Sequence, residues 1–109
     1  MKIAVIGSRM VTDIDFDAIG AQDGDTIISG GARGADSLAA AEARRRGLDV
    51  VEYLPEYERY GRGAPLVRNR QIVAACDRLV AFWDGKSKGT AFTIREARKI
   101  GKQVQIIDA

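Results

Sequence analysis

The sequence predicts an α/β domain with a five-stranded parallel sheet and helices on both faces. Short apolar runs alternate along the chain with longer segments of helical periodicity, and no internal repeat or low-complexity segment interrupts them. Such alternation is typical of βαβ units, in which a helix connects each parallel strand to the next. A chain of 109 residues is long enough for one hydrophobic core. We therefore expect a single domain over residues 1–109.

Five segments are predicted to be strands. Residues 78–83 form a nearly continuous apolar run, which is expected of a strand that is covered on both faces and lies centrally in the sheet. The turn signal Asp23-Gly24-Asp25 precedes the second strand, and Pro55 ends the third. The predicted strands are residues 2–6, 26–29, 49–54, 78–83 and 103–107.

Four segments are predicted to be helices. Gly47 and Gly101 directly follow two of them, as C-terminal glycines do, and Pro65 suits the first turn of a third. The alanines between positions 39 and 43 indicate close packing of one helix on the sheet. The predicted helices are residues 15–21, 35–46, 65–76 and 89–100, and the longest loop is residues 56–63.

Right-handed crossovers and short connections favour the strand order 3-2-1-4-5, a Rossmann-like arrangement. This order places the first and fourth strands side by side. In an open parallel sheet, the ligand crevice lies beyond the carboxyl ends of the strands, where the winding direction reverses. We therefore expect the loops after the first, second and fourth strands to meet at a ligand site.

The composition excludes several classes of site. The chain has no histidine and one cysteine, Cys76, so it can form neither a Cys/His zinc site nor a Ser-His-Asp or Cys-His catalytic centre. Cys76 ends an apolar helical run and is predicted to be a buried filler. No apolar stretch approaches the ~20 residues of a membrane helix, and the first strand is too short for a signal peptide, so we expect a cytoplasmic protein with no membrane partner.

The positive charge is mostly arginine, although the formal net charge is only +2. A protein whose main task is to grip duplex DNA is usually more basic. Arginine is a planar donor that suits phosphate and carboxylate groups, and it supplies 12 of the 17 positive side chains. The charges therefore favour a compact anionic ligand.

Glycine-rich, cationic loops follow three of the predicted strands, at residues 7–9, 29–36 and 84–90. Glycine lets backbone N–H groups approach an anion, and the helix that follows each long loop points its positive end at the same place. Any one loop could contain glycine for turn geometry alone, but all three converge on one edge. The candidate ligand residues in these loops are Gly7, Ser8, Arg9, Ser29, Gly30, Gly31, Arg33, Gly34, Asp36, Asp84, Gly85, Ser87, Gly89 and Thr90.

Neither of the two standard nucleotide-binding motifs is present, since no G-x-G-x-x-G follows the first strand and residues 85–90 do not match a P-loop. Asp36 is expected to cap the helix that follows it, or else to contact a ligand hydroxyl. Asp84 is the candidate catalytic residue. It could orient a ribose, bind a metal or act as a base, or it could simply pair with Lys86 or Arg9.

Aromatic and cationic side chains alternate in the longest loop. Tyr57 and Tyr60 are candidates for stacking on a base, with Arg59 and Arg62 placed to hold its phosphate. The alternative is that each tyrosine is a half-buried packing residue.

Arg68 and Asn69, on the helix after this loop, complete the set of candidate ligand residues. Arg68 and Arg70 are two positions apart and cannot share a helix face. One is therefore expected to face the ligand and the other solvent or a partner.

Taken together, residues 7–9, 29–36, 55–63, 68–70 and 81–90 resemble the YspA-like branch of the SLOG superfamily over nearly the whole chain. That superfamily is similar in turn to the LOG phosphoribohydrolases and to the Rossmann core of the DNA-processing protein A family. The resemblance implies a Rossmann-like fold, frequent dimers, and binding of nucleotides, nucleotide-derived signals or single-stranded DNA.

The resemblance does not transfer the LOG activity. LOG hydrolases place a catalytic glutamate in the pattern P-G-G-x-G-T-x-x-E. Gly89-Thr90 matches its G-T, but Thr93 stands where the glutamate would be. The next acid along, Glu96, is expected to pair with Lys99 on the helix surface.

The leading hypothesis is a domain that binds or senses a nucleotide, for example an ADP-ribose-like or NAD-derived compound, with phosphate at residues 30–34 and 85–90. The alternatives are a nucleotide or N-glycoside hydrolase that uses Asp84, and a single-stranded DNA-binding domain that uses residues 57–70. No resident cofactor is indicated, although a divalent metal could accompany the nucleotide. A homodimer through the small-residue helix faces is also expected.

Overall fold

The computed structural model describes all residues from 1 to 109 and contains one parallel sheet in the order β3-β2-β1-β4-β5. The predicted fold class and strand order are confirmed. β1 and β4 lie side by side from Ile3 opposite Arg78 to Gly7 opposite Phe82. The strands are β1 (Lys2–Gly7), β2 (Thr26–Ser29), β3 (Asp49–Glu52), β4 (Arg78–Trp83) and β5 (Gln103–Asp108).

The helices are α1 (Ala35–Arg45), α2 (Tyr57–Tyr60), α3 (Ala64–Ala75) and α4 (Lys88–Lys99), with 3-10 turns at Phe16–Ile19 and Gly61–Gly63. None of these helices has the length and apolar character needed to cross a membrane. The predicted helix over residues 15–21 is only a 3-10 turn, because Gly20 adopts a left-handed conformation (φ 73) and ends it. The predicted loop over residues 56–63 contains short helical turns instead of irregular chain.

Two apolar clusters cover the two faces of the sheet. α1 and the first 3-10 turn pack on one face, and α3 and α4 pack on the other. The residues of β1 from Ile3 to Ile6 are at most 4% exposed, as expected for a central strand. Cys76 is buried in the second cluster, as predicted.

The alanine-rich side of α1 packs inside the domain. Ala39, Ala40 and Ala43 are between 0% and 3% exposed, and their small side chains let the helix lie close to the sheet. The predicted packing on the sheet is wrong for Ala41, which is exposed on the other side of the helix, and is confirmed for these three buried alanines. They are therefore not available for self-association, and a dimer would need another surface.

Candidate functional site

A polar cleft of about 200 Å³ lies at the carboxyl ends of β1 and β4. The first turns of α1 and α4 and one side of α3 surround it, which is the position that the strand order predicts for a ligand. The residues that line the cleft are Ile6, Gly7, Arg9, Ala32, Asp36, Pro65, Leu66, Arg68, Asn69, Ser87, Gly89, Thr90 and Thr93.

Two loop glycines are required for contact between the loops themselves. A Cβ on Gly7 would lie 2.4 Å from the carbonyl oxygen of Phe82 and 2.6 Å from the Cβ of Ala35. Gly34 has φ +89, and a Cβ there would lie 2.4 Å from the carbonyl oxygen of Ser8. These glycines let the loop after β1 pack against the start of α1, which closes one wall of the cleft.

Gly89 differs from these two glycines. A Cβ at this position would meet no atom within 4 Å. Gly89 lies in the first turn of α4, where backbone N–H groups have no partner within the helix. The open space above it is therefore the part of the cleft in which an anion could reach those N–H groups.

The backbone N–H and carbonyl of Gly30 are hydrogen-bonded to an acidic and to a basic side chain, respectively. Its N–H donates to Oδ2 of Asp36 at 3.0 Å, and its carbonyl oxygen accepts a hydrogen bond from Nη1 of Arg68. The expectation that Asp36 caps α1 is wrong, since the N-terminal cap is Gly34 and it makes no side-chain hydrogen bond. Asp36 instead ties the loop after β2 to the wall of the cleft.

Asp36 is the buried acid of the cleft, with 5% of its surface exposed. Burial raises the pKa of its carboxyl to about 6, and this rise is limited by the hydrogen bond from Gly30, the charge of Arg68 and the N–H of Gly7. Its backbone carbonyl accepts a hydrogen bond from the hydroxyl of Ser29 at 3.1 Å. The carboxyl therefore changes protonation close to neutral pH.

Arg68 is the buried cation of the cleft, with 7% of its surface exposed, and burial lowers the pKa of its guanidinium. Its Nε donates to Oδ1 of Asn69 at 2.8 Å, and Nη1 donates to Gly30. A guanidinium has five N–H donors, so about three remain for a ligand. No carboxylate lies within ion-pair distance of Arg68.

Arg70 points away from the cleft, as the spacing predicts. Its Nε donates to Glu96 at 2.8 Å, and its guanidinium lies over the ring of Phe92. The expectation that Glu96 pairs with Lys99 is therefore wrong. Spacing along the chain predicts contacts within one helix only, whereas Arg70 and Glu96 meet because α3 packs against α4.

Asp84 shapes its own loop. Oδ1 accepts hydrogen bonds from the N–H groups of Lys86 and Ser87 at 2.8 and 2.9 Å, and these bonds hold the pKa of the carboxyl below its usual range. No ion pair with Lys86 or Arg9 forms. Asp84 does not line the cleft. It borders a separate hollow of about 110 Å³ together with Ser8.

The loop before α4 is ordered by side-chain caps. The Ser87 hydroxyl accepts a hydrogen bond from the N–H of Thr90 at 3.3 Å, and the indole Nε1 of Trp83 donates to the Ser87 carbonyl at 3.1 Å. Thr93, which stands where LOG enzymes have their glutamate, donates its hydroxyl proton to the carbonyl of Gly89 at 2.8 Å. This helix therefore presents hydroxyl groups and backbone N–H groups to the cleft, and no acid.

Four exposed cations lie around the cleft, with Arg9, Arg33 and Lys86 in the loops and Lys88 at the start of α4. None of them forms an ion pair. These four cations add positive charge at this edge.

The tyrosines of α2 lie beside the cleft and do not line it. Tyr57 is 56% exposed and Tyr60 is 36% exposed, and no residue of α2 is buried. The guanidinium of Arg59 lies over the Tyr60 ring, 5.3 Å from its centroid. The alternative that each tyrosine is a half-buried packing residue fits Tyr57 poorly, because most of its ring is open to solvent.

Eight of the predicted ligand residues line the cleft, and the others lie behind it or beside it. Sequence reasoning missed five further lining residues, Ile6, Ala32, Pro65, Leu66 and Thr93. Thr93 could have been found, because it lies one helical turn after Thr90. The eight that line the cleft are Gly7, Arg9, Asp36, Arg68, Asn69, Ser87, Gly89 and Thr90.

Comparison with protein families assigns the chain to a family. The family described as YAcAr, the YspA, cpYpsA-related SLOG family, matches residues 1–60, which include the loops after β1 and β2. The chain belongs to this SLOG family. It is also similar to the Gene 61 protein of Mycobacterium phage D29, with 34% identity over 113 residues that cover 92% of this chain and 90% of the phage protein.

Solved structures of two bacterial proteins share the fold. DNA processing protein A (DprA) from Streptococcus pneumoniae superposes with a TM-score of 0.83 and 20% identity over 99% of this chain. DNA processing protein A from Helicobacter pylori, whose structure describes a single-stranded DNA binding mode, superposes with a TM-score of 0.78 and 24% identity over 97% of this chain. This chain spans 50% and 64% of those two chains, respectively.

Proposed function

We propose that the cleft binds the phosphate-bearing end of a nucleotide or of a nucleotide-derived compound such as ADP-ribose or NAD. The observation that carries this proposal is the buried guanidinium of Arg68, which lines the cleft between the first turns of α1 and α4 with N–H donors left over. A buried guanidinium without a carboxylate partner is a strong site for an anion, because charge-assisted hydrogen bonds are stronger away from bulk water.

The size of the cleft indicates that only part of the ligand would lie inside it. Ligand pockets usually measure about 300 to 1,000 Å³, whereas this cleft measures about 200 Å³. It therefore suits a phosphate with its adjacent sugar, and the base would lie outside it. We infer that the exposed rings of Tyr57 and Tyr60 on α2 stack on that base.

Single-stranded DNA is a second candidate ligand. The exposed rings and arginines of residues 57–62 continue from the rim of the cleft, and such a mixture suits a strand of stacked bases. The similarity of the fold to DNA processing protein A is in keeping with this candidate. The hydrolase alternative has less support, because Asp84 lies outside the cleft and its carboxylate is used by its own loop.

A titration that follows tryptophan fluorescence tests both ligand classes. Trp83 is the single tryptophan, and its hydrogen bond to Ser87 places it next to the proposed phosphate position. AMP, ADP-ribose, NAD and an oligodeoxythymidine are titrated over a range of salt concentrations, with and without Mg²⁺. The arms with Mg²⁺ test whether a divalent metal accompanies the nucleotide.

The salt dependence separates the two ligands. Each phosphate contact in a single strand contributes about −0.7 to the slope of log affinity against log salt. A nucleotide with one or two phosphate contacts should bind in the micromolar range with a slope of about −1. A slope of about −3, with tighter binding of the oligonucleotide than of any mononucleotide, would overturn the nucleotide proposal in favour of DNA.

A further inference from the structure

The two edge strands of the sheet differ in how they are protected from other strands. β3 is four residues long and carries a charge at each end, Asp49 and Glu52. β5 is six residues long, and its first five residues include neither a charge nor a proline. Within β5, Ile106 is 38% exposed. An edge strand without charge, proline or bulge leaves a row of backbone groups free to pair with another strand.

Alternate residues of β5 direct their backbone groups away from the sheet. The N–H of Ala109 donates to the carbonyl of Trp83 in β4 at 3.1 Å, so residues in the same phase as Ala109 face β4. The backbone groups of Val104, Ile106 and Asp108, which are in the opposite phase, point outward. These outward groups are the ones that a further strand would bond.

We propose that the outer edge of β5 binds a second copy of this chain, strand to strand and antiparallel, about a two-fold axis at Gln105. This pairing places Val104 opposite Ile106 of the second copy, so that outward-facing backbone groups meet in hydrogen-bonded pairs. The same pairing places Lys102 opposite Asp108 of the second copy, and the two-fold axis repeats this contact at the other end of the strand.

The charges select this register from its neighbours. Moving the axis by one residue to Val104 would place Lys102 opposite Ile106, and moving it to Ile106 would place Asp108 opposite Val104. Only the axis at Gln105 sets opposite charges together and apolar side chains together, which is the arrangement that stabilises cross-strand pairs. The ammonium of Lys102 donates to the carbonyl of Cys76 at 2.7 Å and has further donors for a carboxylate.

The side chains of Val104, Ile106 and Asp108 lie on one face of the sheet, because side chains alternate along a strand. Lys102, which directly precedes β5, reaches the same face, since its ammonium donates to the carbonyl of Cys76. This is the face that α3 and α4 cover, since Val104 packs on the cluster beneath them. Pairing would therefore extend an apolar surface that already exists. The resulting dimer is isologous, with a ten-stranded sheet and with the two clefts at opposite edges. The proposal is thus independent of the ligand in the cleft.

Sedimentation equilibrium of the full chain over a range of concentrations measures the pairing directly. The wild-type chain should form dimers that dissociate in the micromolar range. Asp108→Lys places lysine opposite Lys102 at both ends of the pair, so the dissociation constant should rise by at least about tenfold, because two attractive pairs become two repulsive ones. Ile106→Lys should weaken the dimer as well, by introducing charge beside the axis.

Mixing two variants tests the register. Lys102→Asp and Asp108→Lys should each be monomeric alone, whereas an equimolar mixture should form heterodimers in which every pair is again opposite in charge. Asp49→Lys, the matched reversal on the other edge strand, should leave the dimer unchanged. Circular dichroism of each variant checks that it is folded. If Lys102→Asp is not folded, the dissociation constants of Ile106→Lys and of Asp108→Lys, each measured separately against wild type, test the pairing instead of the mixture.

Three results would each overturn the proposal. The first is a wild-type chain that stays monomeric up to hundreds of micromolar. The second is a dimer that Asp108→Lys and Ile106→Lys leave unchanged. The third is a dimer that Asp49→Lys weakens as much as Asp108→Lys does.

Discussion

The amino and carboxyl edges of the sheet differ in how far their charged groups are paired within the chain. At the amino edge, where the strands begin, the N-terminal ammonium pairs with Asp25 at 3.0 Å, and Asp77 accepts a hydrogen bond from the N–H of Lys2 at 2.7 Å. Arg78 and Lys102 donate there to backbone carbonyls. At the carboxyl edge, Arg59 pairs with Glu56 at 3.8 Å, but Arg9, Arg33, Lys86 and Lys88 form no ion pairs, and Arg68 is buried without a carboxylate partner.

This difference shows at which edge a ligand can gain the most binding free energy. A group that is already hydrogen-bonded inside the chain must lose that bond before it can bind a ligand, whereas the exposed cations Arg9, Arg33, Lys86 and Lys88 need only exchange water. Arg68 keeps N–H donors beyond those that it directs to Gly30 and Asn69. Both edges belong to the same sheet, so the arrangement of the strands alone does not explain the difference. It comes from which polar residues follow the strands and which precede them.

Two glycines with nearly equal positive φ angles compare the packing of the two edges. Gly34, at the carboxyl edge, has φ +89, and a Cβ there would lie 2.4 Å from a backbone oxygen. Gly24, at the amino edge, has φ +90, and a Cβ there would meet nothing within 4 Å. Gly34→Ala should lower the free energy of unfolding by about 3 to 4 kcal/mol and Gly24→Ala by about 1 kcal/mol, as measured by urea unfolding.

Gly24→Ala is the control for backbone strain, since it has the strain without the clash. Equal losses in the two variants would show that the loops of the carboxyl edge are not closely packed.

Two aspartates with opposite pKa shifts compare the electrostatics of the two edges. The pKa of Asp36 rises to about 6 through burial, so the folded state holds this proton more tightly than the unfolded state. This group should lower the free energy of unfolding as the pH rises from about 4 to about 6, by up to about 3 kcal/mol. Urea unfolding of wild type and Asp36→Asn at several pH values measures this contribution as a difference.

Asp25 is the control with the opposite sign. The N–H of Gln22 and the N-terminal ammonium lower the pKa of its carboxyl, so its contribution to stability is present above the unfolded pKa and is lost as the pH falls. Relative to wild type, Asp36→Asn should gain stability between pH 4 and 6, whereas Asp25→Asn should lose relative stability as the pH rises through about 4. Parallel pH profiles for wild type and Asp36→Asn would contradict the raised pKa.

Two exposed arginines test whether unpaired charge binds the ligand. Arg33 forms no ion pair, and its removal should weaken nucleotide binding by roughly 1.5 to 3 kcal/mol, because a charge-assisted hydrogen bond is lost. Arg45 already pairs with Glu42 on α1, and Arg45→Ala should leave the affinity unchanged. Isothermal titration calorimetry with the best-binding nucleotide gives both values. Equal effects of the two substitutions would indicate long-range attraction without a contact at Arg33.

Gly89→Val should change affinity while hardly changing stability. The Cβ of the new side chain meets no protein atom, so the free energy of unfolding should stay within about 0.5 kcal/mol of wild type. The branched side chain would fill the space above the first turn of α4 and keep an anion from its N–H groups. Calorimetry should show weaker nucleotide binding, and unchanged affinity would remove α4 from the site.

Local patterns in the sequence were enough to predict the sheet, the strand order and the edge at which the glycine-rich loops meet. Apolar runs such as residues 78–83 identify strands because side-chain burial follows a fixed period along the backbone. The end of the third strand and the 3-10 turn at Phe16–Ile19 were less accurately predicted, since Gly20 ends the turn through its backbone conformation. Glycine positions predicted where the loops meet, and they did not indicate which loop needs which glycine.

The roles of the acids and bases in the cleft were decided only by the tertiary structure. Arg68 and Gly30 are 38 positions apart in the chain, and their hydrogen bond exists because α3 packs beside the loop after β2. Asp36 was expected to be a cap and is a buried acid of the cleft, whereas Asp84 was the candidate base and lies outside it. The physical reason is that burial and hydrogen bonding depend on contacts between segments that are distant in sequence, whereas strand and helix periodicity depend on neighbours along the chain.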